Sequence, residues 1–231
     1  MYKAVFISWH YLLASMVLVT VSTGCQSNSA SNPASNVIMP LASGNEWIYV
    51  AEGFDSKGNL IHNGQDTTKI VSVSAVNGET MYFDADSPLF RHAYFYRRDG
   101  LWSYSYEFEK LDTSGSATLL LPFPMSLDSV IIFGTAFRLV NLDTGGSIRM
   151  DTVITTITVK NNNLPISVPA GSFVCILYRQ DDTDTFTHEV LKRRDSYYAL
   201  NVGLVYEEDF SSFLAPLYLQ TSLSLRSYTL H

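Results

Sequence analysis

Two cysteines, a handful of histidines and two groups of carboxylates are the side chains whose types and spacing bear on chemistry. Cys25 follows Ser22-Thr23-Gly24 and ends an apolar segment, a position from which a thiol can become a thioether to a lipid once the segment is cut away. Cys175 sits inside Phe173-Val174-Cys175-Ile176-Leu177 and reads as a small buried hydrophobe, with no disulfide partner once Cys25 is acylated. Asp181, Asp182 and Asp184 gather oxygens of the kind calcium takes. They lack the glycine and final glutamate of an EF-hand loop, so a solvated turn between two strands is the simpler reading. Glu107 and Glu109 share a strand face, with Cα atoms about 6.8 Å apart, and a carboxylate pair is what glycoside hydrolysis needs. They lie opposite an aromatic face, which points them toward solvent. His62, His92, His188 and His231 stand at no metal-ligand spacing from one another or from a cysteine. Nucleophile elbow, GxGxxG, phosphate loop and HExxH are all missing from the sequence. The expectation is a chain that is not an enzyme and carries neither metal nor cofactor.

The segment 1–24 has a basic start at Lys3, an apolar run over 11–21 and small residues before Cys25, the pattern of a secretory leader. Eleven helical residues rise about 16 Å, short of the roughly 20 residues that span a bilayer core. Ser22-Thr23-Gly24-Cys25 resembles the lipobox of bacterial lipoproteins, with the usual Leu, Val or Ile displaced by one position to Val21. That resemblance implies acylation of Cys25 and a permanent membrane anchor, since several acyl chains hold where one binds marginally. Gln26 is not the aspartate that often retains such proteins in the inner membrane of enterobacteria, which leans the expected address to the outer membrane.

Residues 25–36 continue as Cys-Gln-Ser-Asn-Ser-Ala-Ser-Asn-Pro-Ala-Ser-Asn, uncharged and almost without apolar content, and read as a flexible tether. Residues 37–231 are evenly globular and read as a single β domain. Removing Lys3 with the leader leaves 14 basic against 22 acidic side chains, a formal charge of about −8. A surface of that sign argues against nucleic acid as a partner. Arg97-Arg98 and Lys192-Arg193-Arg194 have acidic neighbours and read as solvated hairpin faces.

Those residues must be positioned by strands, because the hydrophobic period is two throughout. Trp102, Tyr104, Tyr106 and Phe108 fall on one face of their segment, with Ser103, Ser105, Glu107 and Glu109 on the other. Asp99-Gly100 before them is a favoured two-residue hairpin loop. It predicts Arg98 paired with Leu101, Phe95 facing Tyr104 and Ala93 facing Tyr106. Further strands are expected over 68–76, 80–85, 150–160, 172–179, 185–198 and 217–226, and a short helix is tolerated only over 127–133. The sum is an all-β, mainly antiparallel domain: a curved sheet or incompletely closed β-barrel of about ten strands with at most one or two short helices. In such a sheet Phe95, Trp102, Tyr104, Tyr106 and Phe108 could line a concave face able to hold an acyl chain, with filling of the core the simpler reading for the same side chains. An exposed strand edge or aromatic patch would instead dock another envelope protein.

Three separated motifs carry a family resemblance. Pro40-Leu41-Ala42-Ser43-Gly44-Asn45-Glu46-Trp47-Ile48-Tyr49, Val168-Pro169-Ala170-Gly171-Ser172-Phe173, and Tyr197-Tyr198-Ala199 with Val202-Gly203-Leu204-Val205 resemble motifs of a group of bacterial secreted lipoproteins. Some of that group are similar to half-open β-barrel lipoprotein carriers. The resemblance implies an envelope address and a β fold, admits an apolar ligand, and transfers no catalytic residue. Asn201 departs from the small residue or proline usual there. Physically the motifs read as turns: Pro169 and Gly171 suit the second and fourth positions of a type I turn, and Gly203 a close backbone approach.

Overall fold

The computed structural model describes residues 37–76, 78–84, 90–107, 110–111, 117–141, 148–212 and 217–231. Cys25, the leader, the tether, Phe108 and Glu109 lie outside them. The expected segments of β-branched and aromatic residues are strands, as the packing preferences of those side chains require. The exception is 185–189, expected to open a strand: these residues hold a turn, and the strand begins at Val190. In chain order they are β1 (Glu46–Phe54), β2 (Leu60–Val76), β3 (Glu79–Asp84), β4 (Phe90–Arg97), β5 (Gly100–Glu107), β6 (Lys110–Leu111) and β7 (Thr118–Pro122). They continue as β8 (Val130–Asn141), β9 (Ile148–Val168), β10 (Gly171–Asp184), β11 (Val190–Ala199), β12 (Gly203–Ser211) and β13 (Tyr218–Thr229). No helix occurs among the described residues.

All pairings are antiparallel and the strands make one sheet in the order β6-β5-β4-β3-β2-β1-β13-β12-β11-β10-β9-β8, with β7 on the free half of β5. The chain therefore runs as two successive meanders joined where its first and last strands pair, Trp47 with Tyr228 and Tyr49 with Leu225. The outermost strands do not pair with each other, so the barrel is not closed.

The sheet curls strongly. Leu101 of β5 and Ile157 of β9 belong to one buried core although nine strand steps separate them in the sheet order. Flat, those steps would span about 43 Å. Bulges supply the bend: register shifts fall at Ile48/Tyr49, Tyr197/Tyr198, Asp209/Phe210 and Leu101/Trp102. The core holds Trp47, Tyr49, Ile70, Val159, Cys175 and Leu225, all buried.

The three motifs meet at one end of the curl. Asn45 is fully buried and donates to the Pro40 carbonyl (2.9 Å) and accepts from the His231 amide (2.8 Å), while its own carbonyl accepts from Ile70 (2.8 Å). The Trp47 indole donates to the Val202 carbonyl at 2.6 Å. Gly203 (φ +106°) lets that ring approach, since a Cβ there would stand 3.3 Å from Trp47 Nε1 and from Met39 Cγ. Asn201 takes a left-handed φ of 61° and exchanges hydrogen bonds with Val37. The Ala170 amide of the second motif donates to the Leu225 carbonyl (3.0 Å). The motifs are the clasp of the fold.

Four further details depart from expectation. There are thirteen strands rather than about ten. Residues 127–133 form no helix: Leu127-Asp128 is a turn with Asp128 at φ 58°, and the β-branched run from Val130 starts β8. The β4–β5 loop is Arg98-Asp99, pairing Arg97 with Gly100, Phe95 with Trp102 and Ala93 with Tyr104. The register thus differs from the predicted one by two residues, which leaves the aromatics on the same face. β9 continues through Asn161–Asn163, because a bulge opposite Ile176 absorbs the extra residues and Asn161 caps the Asn163 amide (2.9 Å).

Gly100 carries a checkable consequence. A Cβ there would lie 2.2 Å from the Leu121 carbonyl oxygen where β7 joins β5, whereas Gly78, also at positive φ, faces open space. Gly100→Ala should lower stability by about 1–3 kcal/mol more than Gly78→Ala does, read from urea unfolding. Equal losses in the two variants would place the cost in backbone conformation alone.

Candidate functional site

Strand alternation sorts the aromatics of β4 and β5 onto two faces. Phe95, Trp102 and Tyr104 pack with Met81 and Ala93 in a small separate cluster, the Phe95 and Tyr104 rings stacked at 5.3 Å. Arg97 lies over Phe95 (4.9 Å) and Trp102 (4.7 Å) and pairs with Glu79 at 2.8 Å. Tyr94, Tyr96 and Leu101 take the opposite face, against the main core. The Tyr96 hydroxyl, pushed up to about 12 by burial, bonds the Met39 backbone. Phe108 and the side chains of Tyr106 and Glu107 lie outside what the structure describes.

The three aspartates do not converge. Asp181 pairs with Arg193 (2.7 Å), Asp182 accepts from the Thr155 hydroxyl (2.7 Å), and buried Asp184 caps the amides of Phe186 (2.8 Å) and Thr187 (3.0 Å). They end β10 rather than forming a turn of their own; the turn follows at 185–187. Among the described residues no three His, Cys, Asp or Glu side chains stand where a metal could be held. Burial pushes the Cys175 thiol up to about 11, so it is an unreactive thiol at neutral pH.

Between the two arms of the curl lies a cavity of about 410 Å³, within the roughly 300–1,000 Å³ usual for small-molecule sites. Its apolar lining includes Met39, Leu101, Leu121, Ile157 and Leu223. Its polar lining is Asp66, Gln180, Arg194, Ser196 and Glu207, with the phenols Tyr178 and Tyr198. Arg194, Glu207 and Leu223 also border a second hollow of about 390 Å³ that reaches Gly53, His62 and Thr221.

The polar lining comes from facing positions on β11 and β12, where Arg194 pairs with Asp209 and Ser196 with Glu207. Arg194 forks onto Asp209 through Nε (2.8 Å) and a terminal nitrogen (3.0 Å), and its Nε lies 3.5 Å from Glu207. Burial works against the guanidinium charge, but the Asp209 hydrogen bonds and the Glu207 charge outweigh it and hold Arg194 firmly protonated. Burial raises Glu207 above the ordinary carboxylate value, and Arg194 and the Ser196 hydroxyl (2.8 Å) oppose the rise. Arg193 and Asp195 point to the other face, onto Asp181 and Arg179. Lys192-Arg193-Arg194 is therefore not one solvated face. The signal available in the sequence was alternation: Arg194, Ser196 and Tyr198 recur at two-residue spacing, matched by Glu207 and Asp209.

No family model matches the chain, and no curated protein matches it significantly. Two solved structures overlap it. One is a candidate lipoprotein of Parabacteroides distasonis ATCC 8503, 14% identical, covering 84% of this chain and 99% of its own, with a TM-score of 0.36. The other is a candidate exported protein with a YmcC-like fold from Bacteroides fragilis NCTC 9343, 12% identical, covering 85% and 100%, with a TM-score of 0.39. Overlaps of that size assign neither an activity nor a site to this chain.

Glu207 generates a pH prediction. Its folded-state pKa is raised, so the native chain binds its proton more readily than the unfolded chain does. This contribution to stability is complete below the ordinary carboxylate pKa of 4.5 and is lost as pH rises through the raised folded value. Urea unfolding of wild type and Glu207→Gln across that range should show the wild type losing stability relative to the variant. Parallel curves would mean that Glu207 titrates normally.

Proposed function

We propose that this chain is a lipid-anchored protein of the bacterial cell envelope whose curled sheet is a non-catalytic binding domain for an amphiphilic small molecule. The observation that carries the reading is the cavity of about 410 Å³ between the arms, whose lining mixes apolar side chains with polar ones. A solidly packed interior would have left only an accessory scaffold. The anchor rests on Cys25 behind Ser22-Thr23-Gly24 and on the uncharged tether that follows it. An outer-membrane address accords with Gln26 after that cysteine.

A second reading, docking of another envelope protein, has its own support. β8 pairs only with β9 among the described strands, and Val130 and Ile132 near its start are 60% and 69% exposed. An unpartnered edge of that kind is a template for an added strand.

Anchoring is tested by Cys25→Ser. The processed protein should move from the membrane pellet to the soluble fraction, and its mass should lose the acyl increment present in wild type. Ligand capture is tested by displacement of a fluorescent fatty-acid analogue. Leu223→Trp, which fills the space shared by both hollows, should weaken binding at least 10-fold with an unchanged far-UV spectrum. Unaltered affinity in that variant would remove the cavity as the binding site, and a stoichiometric protein co-purifying from solubilised membranes would favour the edge.

A further inference from the structure

The polar lining of the cavity carries a statement about the ligand's head group, and it rests on the ligand-binding reading above. Three observations bear on it. The guanidinium of Arg194, the cation of the cavity lining, is already committed: Asp209 takes it in a fork at 2.8 and 3.0 Å, with Glu207 at 3.5 Å. Lys192 lies 3.8 Å from the same Asp209. Against these two cations stand Asp209, Glu207 and, across the seam on β2, Asp66, so one negative charge is left over. An incoming carboxylate or phosphate would lose its hydration against like charge and find no free cation.

The second observation is a buried donor and acceptor without a mate. Tyr178 is only 3% exposed, lines the cavity, and its hydroxyl makes no hydrogen bond among the described residues. A ligand group placed at that hydroxyl can serve it as donor and acceptor at once. The third observation is that the Tyr198 hydroxyl and the Gln180 amide, on the same lining, also lack a hydrogen-bond partner among the described residues. Phenol and amide hydrogens need acceptors. An ammonium offers donors alone and a carboxylate acceptors alone, whereas an alcohol offers both.

We infer that the cavity selects an amphiphile with an uncharged, hydroxyl-bearing head, such as a glyceryl or glycosyl group, over one with an anionic or an ammonium head. The head sits against Tyr178, Gln180 and Tyr198, and the acyl chain runs along the paired Leu101 and Leu121. Arg194 is a positioning residue in this arrangement: neutralised by its two carboxylates, it holds Glu207 in place rather than recruiting an anion.

The experiment compares 1-monooleoylglycerol, oleate and oleylamine as competitors of a neutral fluorescent probe at pH 7.5. The protein is the chain from residue 25 with Cys25→Ser, which keeps tether and domain without acyl groups. The monoglyceride is expected to bind at least 10-fold more tightly than either charged amphiphile. In Tyr178→Phe/Tyr198→Phe, which removes two hydroxyls and little volume, the preference should fall below 3-fold with the thermal midpoint unchanged. Equal or tighter binding of oleate or oleylamine overturns the inference, as does an undiminished preference in the double variant. Binding by all three without discrimination overturns the head-group selection and leaves the cavity as a ligand site. Failure of all three to displace the probe overturns both.

Discussion

Everything in this fold depends on the pairing of the first strand with the last. β1 and β13 join two meanders that share no other ladder, and without that seam each would be a separate, twisted, half-exposed sheet. Asn45 fixes the seam from one end, because all its polar groups are used: amide to Ala42, carbonyl from Ile70, side chain to Pro40 and from His231. A fully buried asparagine with complete partners is worth keeping because losing one partner strands the others in an apolar surround. Trp47 then reaches across to Val202, which ties the 40–49 motif to the turn before β12. That is why three motifs far apart in sequence meet in space, and why each reads as a folding device and not a reactive group.

Curling the seam inward creates the cavity, and the cavity explains an otherwise costly choice of residues. Setting Arg194, 38% exposed, beside the partly buried Asp209 and Glu207 is a poor way to stabilise a core, since well-packed apolar side chains would serve as well or better. On the proposed reading the same residues at the cavity do something apolar ones cannot, since they set which head groups approach. The opposite face of the same strands shows the contrast. Arg179–Asp195 and Arg193–Asp181 are matched one to one across β10 and β11, and they line neither of the two hollows described above.

How much of this was legible follows from which forces are local. Period-two alternation, the VPAG turn between β9 and β10 and the Gly-Asn turn before Trp47 are written in neighbouring residues, so the all-β antiparallel class could be read directly. The face of Phe95, Trp102 and Tyr104 was legible too, because a register error of two residues leaves faces unchanged. Which face turns inward was not. That is decided by the sign of curvature, set by bulges at positions such as Tyr197/Tyr198 that depend on two strands at once. Tyr94 and Leu101 therefore line the cavity while the more conspicuous aromatics pack behind them. Arg194 and Glu207 lay hidden for a similar reason: their partners come from different strands, and a charge run in one dimension resembles a solvated turn.

The site's relation to the proposed anchor follows from where the chain enters the domain. Val37 is held by Asn201, and Met39 two residues later already lines the cavity. Val37 stands twelve positions after Cys25, so even at full extension the chain between them reaches no further than about 43 Å. An acylated Cys25 would thus keep the point where the chain enters the domain within that distance of the lipid surface. An amphiphile leaving a bilayer need not cross free water far before its chain is covered again.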